Sequence, residues 1–320
     1  MSIRQFKRYA LLSVLLVLSP MSLSAQVVLK KVRLVNPTMD LPQLPFKIAE
    51  IKGFYREQGL EVEMILVPGA MGVKAVLGGS ADYTSASGAA ITAAVRGAGF
   101  KLVLIDPIRP PFDLVSQPDI NSVNQLKNKI IGLSSRGGLL EQLTGIILER
   151  NGLRADKDVS LIVVGKQAEI VLALKAKRID AALVNSPLEL ILYREGFTKL
   201  AFAGDYASTP AAGIGVTDKK IKDSPDEVAA FVKGTLKGIE HFKQNRSEAI
   251  NFIIKELAVK DPLLAAQIYD TRVGLFAGSR LVDESYMKEA IELVKKGLGE
   301  TRDIPVNHVF DFSFLQKALR

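Results

Sequence analysis

Residues 61–88, EVEMILVPGAMGVKAVLGGSADYTSASG, order their apolar and polar positions as a strand, an amphipathic helix, an aspartate and a second strand. The same order returns without a gap at 159–186, VSLIVVGKQAEIVLALKAKRIDAALVNS, 98 residues on, which sets Asp82 on Asp180, Ala70 on Ala168 and Ala75 on Ala173. Upstream, with a five-residue insertion, FYREQGL (54–60) faces ILERNGL (147–153), each read as a helix end stopped by a left-handed glycine. VRLVN (32–36) and KIIGLS (129–134) are β-branched runs before a loop and a helix. Each copy therefore predicts strand, loop, helix, strand, helix, strand, loop, helix. That order calls for parallel strands covered on both faces. Two unrelated βαβ segments would share the periodicity too, and either origin gives the same α/β class.

Beyond the second copy the pattern turns helical. DSPDEVAAFVKGTLKGIEHF (223–242) opens with Ser224, Pro225 and Glu227, a predicted capping box, and should bury Val228, Phe231, Val232, Leu236 and Ile239. Further helices are predicted at 247–258, at 262–273 and at 283–296, followed by a tail that Phe310, Phe312 and Phe314 should pin down. Two extended segments, 101–117 and 211–220, should join the halves and act as a hinge. The expected division is lobe 1 at 26–112 with 215–320 and lobe 2 at 113–214.

Residues 1–25 are expected to be a separate segment. Arg4, Lys7 and Arg8 precede an apolar run from Ala10 to Leu18, then Pro20 and the small residues Ser22, Ser24 and Ala25. This is the order of a cleavable export signal, and the run is shorter than the roughly 20 apolar residues a spanning helix needs. Its removal lowers the formal charge from +8 to +5. The remaining lysines and arginines are interspersed with acids rather than gathered in a stripe, which argues against a nucleic-acid partner. The chain has no cysteine, hence no disulfide and no lipid-attachment thiol.

In open parallel sheets ligands sit beyond the carboxyl ends of the strands. That rule selects four loops: Asn36–Leu44 (NPTMDLPQL), Ser85–Gly88 (SASG), Ser134–Gly138 (SSRGG) and Asn185–Pro187 (NSP). Each precedes a helix, so free backbone N–H groups should point out of it. Ser85, Ser87 and Gly88 read as small so that a ligand can reach the backbone, although a capping serine beside a tight helix contact would look alike. Arg136 could grip a carboxylate, sulfonate or phosphate in bidentate fashion, or simply lie solvated. Asp40, Asp106 and Asp205 could face an amine or Arg136, or act as turn residues; Asp82 and Asp180 read as structural. The two histidines, His241 and His308, belong to none of the four loops, so nucleophile–base pairs and metal clusters are disfavoured and no catalytic residue, metal or cofactor is expected.

KIAEIKGFYREQGLEVEMILV, AVLGGSADYTSASGAAITAAVRGAGFKLV, LKNKIIGLSSRGG, LALKAKRIDAALVNSP and SPDEVAAFVKGTLKGIEHFKQNRSEAI resemble, in this order, the periplasmic substrate-binding proteins of nitrate/sulfonate/taurine-type ABC importers. These are type II binding proteins related to the thiamine-precursor family. The resemblance implies a two-lobed periplasmic clamshell that captures a small solute and delivers it to a membrane permease and its ATPase; the C-terminal helices are extra, a monomer is expected, and the helix N-termini and Arg136 converging on the cleft predict a small organic anion. By position it implies ligand contacts at Thr38, Met39 and Leu41, at Ser85, Ser87 and Gly88, at Ser135, Arg136 and Gly137, and at Asn185 and Ser186. Relatives often carry an aromatic before the last proline, where this chain has Asn185-Ser186-Pro187 and no tryptophan anywhere. The alternatives are an enzyme on the same clamshell with Asp40 or Asp205 as base, or a ligand-sensing partner of a membrane receptor.

Overall fold

Lobe 1 begins with β1 (Lys30–Asn36), α1 (Leu44–Ile51), β2 (Leu60–Leu66), α2 (Gly69–Leu77), β3 (Tyr83–Thr84), α3 (Ser87–Val95) and β4 (Phe100–Ile105). The chain then crosses to lobe 2, which holds β5 (Phe112–Ser116), β6 (Ile130–Leu133), α4 (Leu139–Arg150), β7 (Ser160–Val163), α5 (Gln167–Lys175), β8 (Ala181–Asn185), α6 (Leu188–Arg194) and β9 (Thr198–Phe202). It returns through β10 (Gly213–Thr217) to α7 (Asp218–Asp223), α8 (Pro225–Gln244), α9 (Arg246–Glu256), α10 (Pro262–Arg272), α11 (Glu284–Leu298), α12 (Val306–Val309) and α13 (Ser313–Ala318). The computed structural model describes residues 28–320 apart from Ser135, Gly137, Gly138 and Ser279; the expected export signal lies outside the described residues.

The sheet orders are β2-β1-β3-β10-β4 and β7-β6-β8-β5-β9, the same order of parts in both lobes. Each has one antiparallel strand, and it is the first strand made after a crossing: β5 on entering lobe 2 and β10 on returning. The repeated aspartates do the same job in both copies. Asp82 accepts from the Arg33 N–H at 2.9 Å and Asp180 from the Ile130 N–H at 2.8 Å, each holding the neighbouring parallel strand.

One face of the first sheet packs on α1 and α8–α10, the other on α2, α3, α11 and the tail. Of the tail aromatics, Phe310 and Phe314 are buried, and Phe312 lies between the two clusters. In α8 the predicted stripe of Val228, Phe231, Val232, Leu236 and Ile239 is buried, each side chain contributing about 1.5–3 kcal/mol. The cap of that helix departs from expectation. Ser224 makes no side-chain cap bond, because Glu227 is drawn inward instead, to Lys30 (2.5 Å), Lys220 (2.7 Å) and the Tyr83 hydroxyl (3.0 Å). FYREQGL likewise closes a 3-10 turn at Arg56–Gln58 rather than an α-helix, with Gly59 left-handed at φ +77°.

The first crossing, 106–111, lies within the extended segment expected for it. The second occupies 203–212, so β10 begins before the expected boundary at 214/215 and belongs wholly to the first sheet. Arg109 of the first crossing ties down the second by donating to the Gly204 carbonyl (2.8 Å) and to the Asp205 carboxylate.

Candidate functional site

Topology alone brings the strand ends of both lobes together. β4 runs parallel to β1 and β3 and leaves at its carboxyl end; six residues later β5 starts beside the carboxyl end of β8, where Phe112 pairs with Asn185. The carboxyl ends of β1, β3, β6 and β8 therefore all lie on the crossing side of their sheets, and with them the loops after β1, β3 and β8 that were selected from the sequence.

In lobe 1 the alternation along the strands decides which side chains share a face. Val32, Leu34 and Tyr83 enter the α1-side core, whereas Val35 joins the opposite one. Asn36 and Ser85 continue the α1-side phase on adjacent strands, since the Ser85 N–H donates to the Val35 carbonyl at 3.0 Å. The 3-10 turn Leu41–Gln43, preceded by Asp40, packs Leu41 into the same α1-side core. Asn36 Oδ1, Asp40 Oδ1, Gln43 Oε1 and Ser85 Oγ are all buried there without a hydrogen-bond partner. Unsatisfied buried polar atoms are costly, and four at one sheet end mark the place where the fold keeps polar capacity for something else.

The Asp40 carboxylate accepts from the Thr38 hydroxyl through Oδ2 (3.0 Å), yet burial pushes its carboxyl up to about 6. Asp106 is different. Burial lifts it to about 7, but its two oxygens accept from the Ala277 and Gly278 N–H groups, both at 2.9 Å, so it anchors the loop after α10. Asp205 is held by Arg109.

The other expected contacts divide. Thr38 is exposed, Met39 and Asn185 are partly buried, and a Cβ added at Gly88 would meet nothing within 4 Å, so packing does not demand glycine there. Ser135 and Gly137 lie outside the described residues. Leu41 is a core residue, only 3% exposed among the α1-side cluster. Ser87 donates to the Pro210 carbonyl at 2.8 Å and pins α3 to the second crossing. Ser186 donates to Glu189 and also accepts from Arg272. Arg136 turns along the free edge of β7. It donates to Asp156 (2.9 and 3.2 Å), Glu141 (2.7 Å) and the Leu161 carbonyl (2.6 Å), because that edge leaves a carbonyl and a carboxylate within reach. Its charge is thus balanced by two carboxylates.

Asn36 and Gln43 were missed in the sequence. The signal was present: in VRLVN the asparagine falls on the inward phase of Val32 and Leu34, and Gln43 interrupts an otherwise apolar LPQLPF. In lobe 2 the comparable residue is Gln167, at the start of α5. Its Nε2 donates to the Leu183 carbonyl of β8 (3.2 Å), leaving Oε1 buried and unpartnered.

The NMT1/THI5-like family model matches residues 43–249. The riboflavin-binding protein RibY of Chloroflexus aurantiacus is 26% identical over 238 residues, 70% of this chain; the chain spans 66% of RibY. The periplasmic aliphatic sulphonate-binding protein SsuA of Escherichia coli superposes with a TM-score of 0.70 at 15% identity, over 87% of this chain and 91% of that one. The periplasmic nitrate-binding protein NrtA of Synechocystis PCC 6803 gives 0.70 at 15%, over 91% and 88%. The desulfurization enzyme DSZB gives 0.65 at 15%, over 90% and 99%. These likenesses establish the periplasmic binding protein fold, which carries binding proteins and an enzyme alike. Since the family model covers more than half of its length, the chain belongs to the NMT1/THI5-like family.

Proposed function

We propose that this protein is an extracytoplasmic solute-binding protein that takes a small molecule between its lobes and hands it unaltered to an ABC permease and its ATPase. The carrying observation is the group of four unpartnered acceptor atoms at the crossing-side end of the first sheet. Membership of a family built on this fold, and neighbours that bind sulphonate and nitrate in the periplasm, support the same reading. No helix among the described residues is long and apolar enough to cross a membrane. The leader-like residues 1–25 support export.

The enzyme alternative has less behind it. Asp205 is engaged by Arg109, and among the described hydrogen bonds Asp40 has a hydroxyl donor but no imidazole or amine placed to exchange its proton. Native mass spectrometry of the full chain recovered from a periplasmic extract should show one additional small-molecule mass, released unchanged on acid denaturation. Release of a chemically altered molecule would favour the enzyme.

A further inference from the structure

We propose that the solute offers several N–H or O–H donors along one edge and carries no negative charge on that edge: a neutral or cationic amide, amidine, imide or polyol rather than an oxyanion. The inference rests on the solute-binding reading and narrows it. Three of the four lobe 1 side chains, Asn36, Gln43 and Ser85, are at most 2% exposed, and none of the four named oxygens has a donor. In Asn36 the amide nitrogen faces the Met64 sulfur at 3.8 Å and the oxygen is the free end. Asp40 can only accept while ionised, and Thr38 occupies one of its two oxygens. The Ser85 hydroxyl can accept as well as donate. Across the crossings Gln167 repeats the chemistry, its nitrogen engaged and its oxygen free.

Cationic partners for an oxyanion are correspondingly committed elsewhere. Arg136 is bound to Asp156 and Glu141, Arg109 to Asp205, and Arg272 to Asp113 and Glu189. A guest lined by these acceptors, with the three guanidiniums already paired to carboxylates, must bring the donors itself.

The test is a competition read by native mass spectrometry and calorimetry on the full chain, unfolded and refolded to strip any carried solute. One arm holds riboflavin, cytosine, allantoin and agmatine; the other holds nitrate, sulfate and ethanesulfonate. At least one compound of the first arm should bind about tenfold more tightly than every oxyanion. Asn36→Leu should weaken that compound by about tenfold, the usual consequence of losing a buried hydrogen bond, and Ser85→Ala serves should the first variant fail to fold. Preference for an oxyanion, or undiminished affinity in the folded variants, overturns the inference while leaving solute binding intact. Capture of nothing from either arm, and nothing from periplasmic extract, overturns both.

Discussion

Asp40 sets the electrostatic character of the strand-end cluster. At an effective dielectric of about 20, a second negative charge placed about 4 Å from it costs on the order of 4 kcal/mol. A helix N-terminus returns only about 0.3–1 kcal/mol, up to about 2 when partly buried. One helix end therefore cannot compensate for an ionised Asp40, and an anion would need the carboxyl protonated. The same burial has a consequence for stability. Asp40 titrates at about 6 when folded but near its ordinary value of 3.8 when unfolded. Between those two values the folded chain holds a proton that the unfolded chain has released, so stability falls as pH rises through the window and is fully present below it. Asp40→Asn removes that dependence. Thermal melts at pH 4 and pH 7 should show the variant gaining on the parent as pH rises; parallel profiles would mean that Asp40 is hydrated and not desolvated.

At the level of elements, α8 fits closely through two glycines, Gly238 against α1 and Gly234 against the turn that follows it. A Cβ at Gly238 would stand 2.3 Å from the Pro45 carbonyl oxygen and 2.9 Å from the Ala49 Cβ; one at Gly234 would stand 2.5 Å from the Tyr55 ring. Both obstacles are packed, the first of them backbone, so α1 would have to move away. Because α1 continues directly from the 3-10 turn that holds Gln43, this contact also fixes the site. Gly238→Ala should cost about 1–3 kcal/mol despite its better helix propensity, measured as a lowered urea midpoint. A stabilised variant would show that α1 yields freely. Such glycines explain what could and could not be read in advance. The stripe Val228, Phe231, Val232, Leu236 and Ile239 announces itself by spacing, and the repeat announces the succession of strands and helices through Asp82 and Asp180, though not the sheet order or the antiparallel β5 and β10. The fate of Ser87 and Arg136 depended on which carbonyl or carboxylate another segment would place beside them, and spacing holds no information on that, whereas Ser186 meets Glu189 only three residues on and the distant element there is Arg272. Ser87 meets Pro210 from 123 residues away.

The two lobes are joined by more than their crossings. Arg272, at the end of α10 in lobe 1, is 5% exposed and reaches into lobe 2, donating to Asp113 at 2.6 Å and to Glu189 at 2.9 Å. Lys199 approaches the other oxygen of Asp113 at 3.1 Å, the Tyr193 hydroxyl donates to Asp113 as well, and the Arg272 guanidinium lies over the Phe202 ring at 5.3 Å. Apolar side chains are exchanged in the same way: Leu190 of α6 enters the lobe 1 core, and Leu293 of α11 enters that of lobe 2. Burial already pushes the Glu189 carboxyl upward against the pull of Arg272. Withdrawing the guanidinium leaves two buried carboxylates with one lysine between them, and breaking a buried pair from one side typically costs about 3–5 kcal/mol. Arg272→Met should therefore lower stability by about that amount, and should split one unfolding transition into two as the lobes lose their link. Adding Glu189→Gln should return part of the loss, because the remaining Asp113 keeps Lys199. If calorimetry instead shows a single transition within about 1 kcal/mol of the parent, far below the cost of an orphaned buried charge, the lobes are held by their apolar exchange and Arg272 is dispensable.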